Sequence, residues 1–250
     1  MPTSLALCID APMQSWGTIS RFVVRDTATE PTKSGVVGLL AAALGTPRND
    51  EATVARLAAL TMGVRVDREG ILERDYHVTQ NVPTTTGGGH RTIVSHRYYL
   101  ADAVFLVVLD GDADLLSSVH AAVRQPRWPL YFGRKAFTPA RPLLTSGQPG
   151  EPPTAWGLTS QPLQETLTGH PWLDTRGTRT RLSTAEAGRP TALRTVVDCD
   201  ATTGGAELRH DYPITFAQQD RRYGTRTVRC GHVTLATTTS AGATPCSSAN

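Results

Sequence analysis

The chain has 250 residues, a net charge of +3 and an apolar share of 39%, enough to fill one large domain or two small ones. No apolar run approaches the roughly 18 residues of a membrane span, and "MPTSLALCIDAP" has neither a basic leader nor a cleavage signal, so a cytoplasmic protein with no membrane partner is expected. Four scattered cysteines (Cys8, Cys199, Cys230, Cys246) show no CxxC pair and no Cys/His spacing, which suits a reducing compartment and suggests neither a metal nor another cofactor.

In chain order, "SLALCI" (Ser4–Ile9) reads as a buried strand. A long loop follows, and then "SGVVGLLAAAL" (Ser34–Leu44), apolar almost all round and therefore a helix covered on most faces. Pro31 and Ser34 mark its start, Gly45 and Pro47 its stop. "NDEATVARLAAL" predicts a second short helix, capped by Asn49 or Asp50, with Val54, Leu57 and Ala58 on one face. "MGVRVDREG" alternates Val64 and Val66 with Arg65 and Asp67, the pattern of a half-buried strand. The polar, Thr-rich stretch from Ile71 to His96 predicts a hairpin with "TTTGGGHRT" at its tip. "AVFLVVL" (Ala103–Leu109) reads as a central strand, and Asp112 and Asp114 open a helix with Leu115, Leu116, Val119, Ala122 and Val123 on one face. Acids at its start and Arg124 at its end complement the helix dipole. "PLYF" (Pro129–Phe132) reads as a fourth strand ending at "GRK".

This order is the split βαβ, or ferredoxin-like, plan with a hairpin inserted. RNA-recognition domains use such a sheet to present a strand-binding face, although the fold hosts many unrelated functions. Beyond Pro142, "TSGQPGEPPTAWGLTSQP" reads as a linker or surface loop. "TALRTVVDCD" and "RCGHVTLAT" are strand-like around the Arg-rich "RHDYPITFAQQDRRYGTR". The expected layout is an α+β palm over 1–142 with a hairpin at about 77–97, a linker and small β-rich part over 143–236, and a disordered tail over 237–250.

Three functional readings meet these residues. As an enzyme, a metal-free ribonuclease could pair His77, His90 or His96 with Tyr98 or Lys135 to activate a 2′-hydroxyl. No GxSxG elbow is present, and "GVVGLLAAALG" lacks the Lys and hydroxyl of a phosphate-binding Walker loop. As a binder, the chain sets Gln14, Ser15 and Trp16 at the sheet rim, with Arg21, Arg25 and Lys33 in the following loop. A flat aromatic with several cations suits single-stranded RNA, where stacking supplies about 1–3 kcal/mol per base. Arginine makes up 23 of the 25 basic residues and forks onto phosphate, although codon bias in a GC-rich genome would give the same count. The third reading is a protein-interaction domain that touches no RNA.

"APMQSWG", "RDTATEPTKSGVVGLLAAALGTPRND", "DYH", "HRYYLADAVFLVVL" and "PLYFGRK…P" follow one another in the order and spacing of the Cas-five family, and resemble its E-subtype, CasD-like members of CRISPR Cascade complexes. The likeness covers about Leu5 to Pro142, with a fainter echo over Arg209–Arg226. It implies a ferredoxin-like, RNA-recognition (RAMP-type) palm with a protruding β-hairpin thumb and a small C-terminal β-rich part. It further implies a non-catalytic subunit that caps the 5′ handle of the CRISPR RNA beside a backbone subunit and a large subunit, meeting target DNA only through the guide. The C-subtype relatives cut precursor RNA themselves, so a metal-independent endoribonuclease is the alternative. By motif, the resemblance assigns Met13, Gln14, Ser15 and Trp16 to handle bases, and Arg21, Arg25, Lys33 and Ser34 to phosphates or sugars. Arg97 at the thumb base, with Arg134 and Lys135 after the fourth strand, would meet the RNA backbone. Thr86, Gly88, His90 and Arg91 fall on the thumb, which is richer in Gly and poorer in charge than the family pattern.

Overall fold

The computed structural model describes residues 4–17, 23–85, 87–144, 157–173 and 192–234. β1 (Ser4–Asp10) is buried at every position and pairs antiparallel with β7 (Val104–Asp110). β4 (Thr61–Arg68) lies antiparallel on the far side of β7, and β8 (Leu158–Thr159) borders β1. Helix α1 (Lys33–Leu44) connects the first strand to β4, and α3 (Ala113–Arg124) follows β7. The strand order β4-β7-β1-β8 is the ferredoxin-like α+β plan expected from the sequence.

Local chemistry fixes the helix ends where the sequence places them. Thr32 caps α1 by accepting from the Gly35 N–H, and Gly45 ends it at φ 73°, a left-handed turn that suits glycine. α2 (Glu51–Ala58) is capped by Asp50 and α3 by Asp112. The apolar faces of all three helices enter one core with Leu5, Leu7 and Ile9 of β1 and Phe105 of β7.

Two expectations about strands are corrected. Pro129–Phe132 is not the fourth strand; that place belongs to β8. Pro129 has no N–H to give a ladder, and the following residues turn sharply, with Phe132 N–H donating to the Phe137 carbonyl and Phe137 N–H to that of Arg134. β4 is buried on both faces rather than half-buried. A second layer covers its other side: Leu163 and Leu167 of α4 (Leu163–Gly169) pack on Ala6, Cys8, Leu106 and Val108. There the Arg65 guanidinium donates to Asp67 and to the carbonyls of Leu167, His170 and Pro171 at 2.6–2.9 Å. Such saturation lets a charged alternation survive burial. In the same interior, burial pushes the Cys8 thiol up to about 12, leaving it inert at neutral pH.

The C-terminal strands extend the palm's sheet. β9 (Ala192–Asp198) pairs with β4, β11 (Arg222–Thr234) with β9, and β10 (Ala206–Thr215) with β11, so that seven strands form one sheet among the described residues. The predicted hairpin is longer than expected: β5 (Ile71–Pro83) and β6 (His90–Ala101) run antiparallel, and Thr84 N–H closes the tip onto the Gly89 carbonyl. At its base, β2 (Met13–Gln14) pairs antiparallel with β6, and β3 (Val24–Arg25) pairs parallel with it. The 145–156 part of the predicted linker and the 237–250 tail lie outside the described residues. No described helix is long and apolar enough to cross a membrane.

Candidate nucleic-acid interface

Where the loop after β1 crosses the thumb base, a polar cleft of about 450 Å³ opens. Its cations are Arg25, Arg97, Arg134 and Arg221; the His210 imidazole and the Asp26 carboxylate lie among them. The β-ladder explains the first pair, because β3 sets Arg25 directly beside Arg97 of β6. Like charges at opposed positions are unfavourable unless something lies between them. Arg97 is steadied by Nε donating to Ser95 Oγ at 3.0 Å. Arg134 is held by Nη2 donating to the Tyr98 carbonyl at 2.7 Å and by stacking 5.1 Å above the Phe137 ring. Burial lowers the Arg134 pKa, with Arg97 adding to the effect; the site favours an anion that would relieve that crowding. Among the described residues, none of these four arginines is ion-paired with a carboxylate.

The sequence-derived candidates divide between this cleft and the core. Ser15, Arg25, Ser34, Arg97 and Arg134 line the cleft. Gln14, Trp16 and Lys33, expected to contact RNA, instead turn their side chains into the core. The Trp16 ring is 2% exposed and tilts onto Phe132 at 5.8 Å, and a Cβ on Gly35 would approach it to 2.8 Å. Its indole N–H donates to Gln14 Oε1, and Gln14 Nε2 donates to the Ala103 carbonyl at 2.8 Å. These two side chains brace the loop from beneath, which is why an aromatic precedes so apolar a helix. The Lys33 ammonium is equally committed, donating to Asp198 at 2.6 Å and to the Leu60 carbonyl at 2.7 Å. Burial lowers its pKa, against the pull of Asp198.

Met13 is 37% exposed and stands outside the cleft lining, as does the exposed Lys135. Arg91 joins Arg25 and Arg97 along a separate groove on the thumb with Val23, Thr79 and Val82. Gly88 and His90 are exposed at the thumb tip; Arg21 and Thr86 lie outside the described residues. For a ribonuclease, His77 lies 3.9 Å from Asp75 and His96 edges onto Tyr76 at 5.6 Å. Among the described residues, no hydrogen bond joins these imidazoles, or His90, to Tyr98 or Lys135. No described group of three or more His, Cys, Asp or Glu is arranged to hold a metal.

Besides Gly17, Asp26 and Gly133, which adjoin selected positions, the cleft residues not selected from the sequence are His210, Arg221 and Tyr223, from one distant stretch. Their signal was the Arg-rich "RHDYPITFAQQDRRYGTR" stretch. A buried charge network brings it to the palm. Arg226 donates through Nε and Nη2 to Asp211 at 2.7 and 2.9 Å, and through Nη1 to Asp198. Asp211 accepts the Lys33 backbone N–H at the start of α1 at 2.7 Å, and Asp198 accepts Met62 N–H at 2.9 Å. Burial opposes the Arg226 charge, but Asp211 and Asp198 outweigh it and raise its pKa.

Comparison with known proteins reaches the same part of protein space. The family model described as "CRISPR-associated protein (Cas_Cas5)" matches residues 4–229. The chain belongs to the Cas5 family. This Cas5 chain is 32% identical over 191 residues to the CRISPR system Cascade subunit CasD of Escherichia coli (strain K12), spanning 68% of this chain and 85% of that protein. Among solved structures, a Cas protein crystal structure superposes with a TM-score of 0.67 at 37% identity, covering 92% of this chain and 95% of the other. A chain of a CRISPR RNA-guided surveillance complex superposes with a TM-score of 0.73 at 29% identity, covering 93% and 90%.

Proposed function

We propose that this Cas5 chain is a non-catalytic, RNA-binding subunit of an E-subtype Cascade surveillance complex. In this reading, the basic cleft at the thumb base holds the 5′ handle of the CRISPR RNA. The thumb extends toward a backbone subunit, a large subunit docks beside the handle, and target DNA is met only through the guide. The observation that carries the reading is the convergence of four arginines, none ion-paired with a carboxylate among the described residues, from the loop after β1, the thumb, the segment after α3 and the link between β10 and β11. The likeness to CasD and to a surveillance-complex chain supplies the assembly. Phosphates give affinity here and the shape and edges of the bases give identity, because phosphate contacts carry no sequence information.

The test is a salt titration of handle-RNA binding in EDTA. If each of the four arginines meets one phosphate, log K falls by about 2.8 per log unit of salt, and Arg25→Ala with Arg97→Ala removes about 1.4 of that slope. An unchanged slope in the double variant refutes the cleft. Cleavage to a product ending in a 2′,3′-cyclic phosphate refutes the non-catalytic role.

A further inference from the structure

One end of the basic cleft runs into a second, chemically different groove. Ser34, Gly133, Arg221 and Tyr223 line both. The groove is walled by Trp128, Tyr131, Phe216 and the shared Tyr223, with Arg48 and the shared Arg221 at its margins and α1 around Gly38 as its floor. Its volume is about 270 Å³, below the 300–1,000 Å³ or so of clefts that take drug-sized ligands. Trp128 is 44% exposed although its backbone is fixed, its N–H donating to the Ala42 carbonyl at 3.2 Å. Unlike Trp16, Trp128 therefore presents a ring face on a rigid support.

We infer that this groove seats one unpaired nucleobase of the strand whose phosphates lie in the basic cleft. The inference rests on the cleft reading and adds a site with a different chemistry. Three features favour a base over another occupant. The groove is continuous with the cationic cleft, so a strand leaving the cleft arrives with its next base at the aromatic walls. Its walls supply π-faces, which accept any base without hydrogen-bond readout. Its margins are arginines, which suit a ribose-phosphate and also stack. The aromatic that the sequence suggested for stacking, Trp16, is in the core, and Trp128 takes over that task farther along α1, beside Ala42.

The test uses the full chain and a randomised single-stranded RNA octamer carrying 4-thiouridine, alongside an octamer of the same backbone with abasic residues. Photo-crosslinks are expected at Trp128, Tyr131 or Tyr223. Trp128→Ala should weaken binding of the base-bearing octamer roughly 5- to 150-fold, the stacking free energy of one base expressed as a ratio. It should leave the salt slope unchanged, because no phosphate contact is lost, and Trp128→Phe should restore most of the affinity. On the abasic octamer, wild type and Trp128→Ala should bind equally. Salt-dependent binding that ignores Trp128, or an equal loss on the abasic octamer, overturns the seat while leaving the cleft standing, and points to a protein side chain as the groove's occupant. Absence of salt-dependent binding overturns the cleft and the seat together.

Discussion

Truncating Arg226 is the most informative perturbation of the scaffold. Its side chain is 8% exposed, and the carboxylates it joins, Asp198 and Asp211, are 14% and 11% exposed. Arg226→Ala leaves two nearly buried carboxylates facing the single Lys33 ammonium, which is already spent on Asp198 and the Leu60 carbonyl. Removing one partner of a buried pair costs about 3–5 kcal/mol, a large fraction of the roughly 5–15 kcal/mol that holds a typical domain. With a urea m-value of about 3 kcal/mol/M, the midpoint should fall by roughly 1–1.7 M. The double variant Arg226→Ala/Asp211→Ala removes both charges of the bidentate pair, so its loss should fall short of the sum of the single losses by about 0.5–3 kcal/mol. The same variants should weaken RNA binding beyond one phosphate, because the network carries the strands that bring His210 and Arg221 to the cleft. A single variant costing under about 1 kcal/mol, or losses that simply add, would refute the claim that this network ties β10 and β11 to α1.

Gly133 sits at φ 90°, and a Cβ there would lie 1.9 Å from the Ser15 carbonyl, so Gly133→Ala should cost at least about 2 kcal/mol by denaturant titration and should also loosen the cleft that both residues line. Burial lowers the His170 pKa, and Arg65 adds to this while the Pro171 carbonyl and Asp67 oppose it. Because the folded value lies below the unfolded 6.5, the stability linked to neutral His170 is complete above about pH 6.5 and is lost as pH falls toward the folded value. Hydrogen-exchange protection of 163–170 should therefore drop between pH 7.5 and 5, and much less so in His170→Gln; equal drops would refute the linkage.

The palm was legible because its elements depend on local signals. An apolar strand, a capped helix and another apolar strand each carry their own pattern, and Thr32, Gly45, Asp50 and Asp112 act where simple chemistry puts them. What was not legible depends on partners distant in sequence. The alternation of Val64 and Val66 with Arg65 and Asp67 signals a solvent face until α4 and the two residues after it, about 100 residues later, supply three carbonyls to the guanidinium. "PLYF" has the apolarity of a strand, but its neighbouring position beside β1 is taken by Leu158–Thr159. The candidate site divided in the same way. Arg25, suggested by charge and position, and Arg97, suggested by the family motif, line the cleft, whereas Trp16 and Lys33 have the right chemistry for RNA and spend it inward on Phe132, Gln14 and Asp198.

The way this fold treats its other arginines bears on that division. Arg65 is given Asp67, Arg194 is given Glu30 and Glu69, Arg141 is given Asp10, and Arg226 is given Asp198 and Asp211. These four guanidinia, largely withdrawn from water, each have a carboxylate, as the cost of burying a lone charge demands. Arg134 and Arg97 differ: both are half-buried with no carboxylate ion pair among the described residues, and burial and Arg97 lower the Arg134 pKa against the opposing pull of Asp75. Stability alone would favour an acid at Ser15 or Ser34, both of which line the cleft. Their short neutral side chains leave Asp26 as the carboxylate of the cleft lining against four arginines, so the positive charge there is only partly balanced from within. In the proposed reading a polyanionic strand supplies the rest, and a phosphodiester would meet the arginines without the desolvation that an internal carboxylate would impose on the folded, unliganded state.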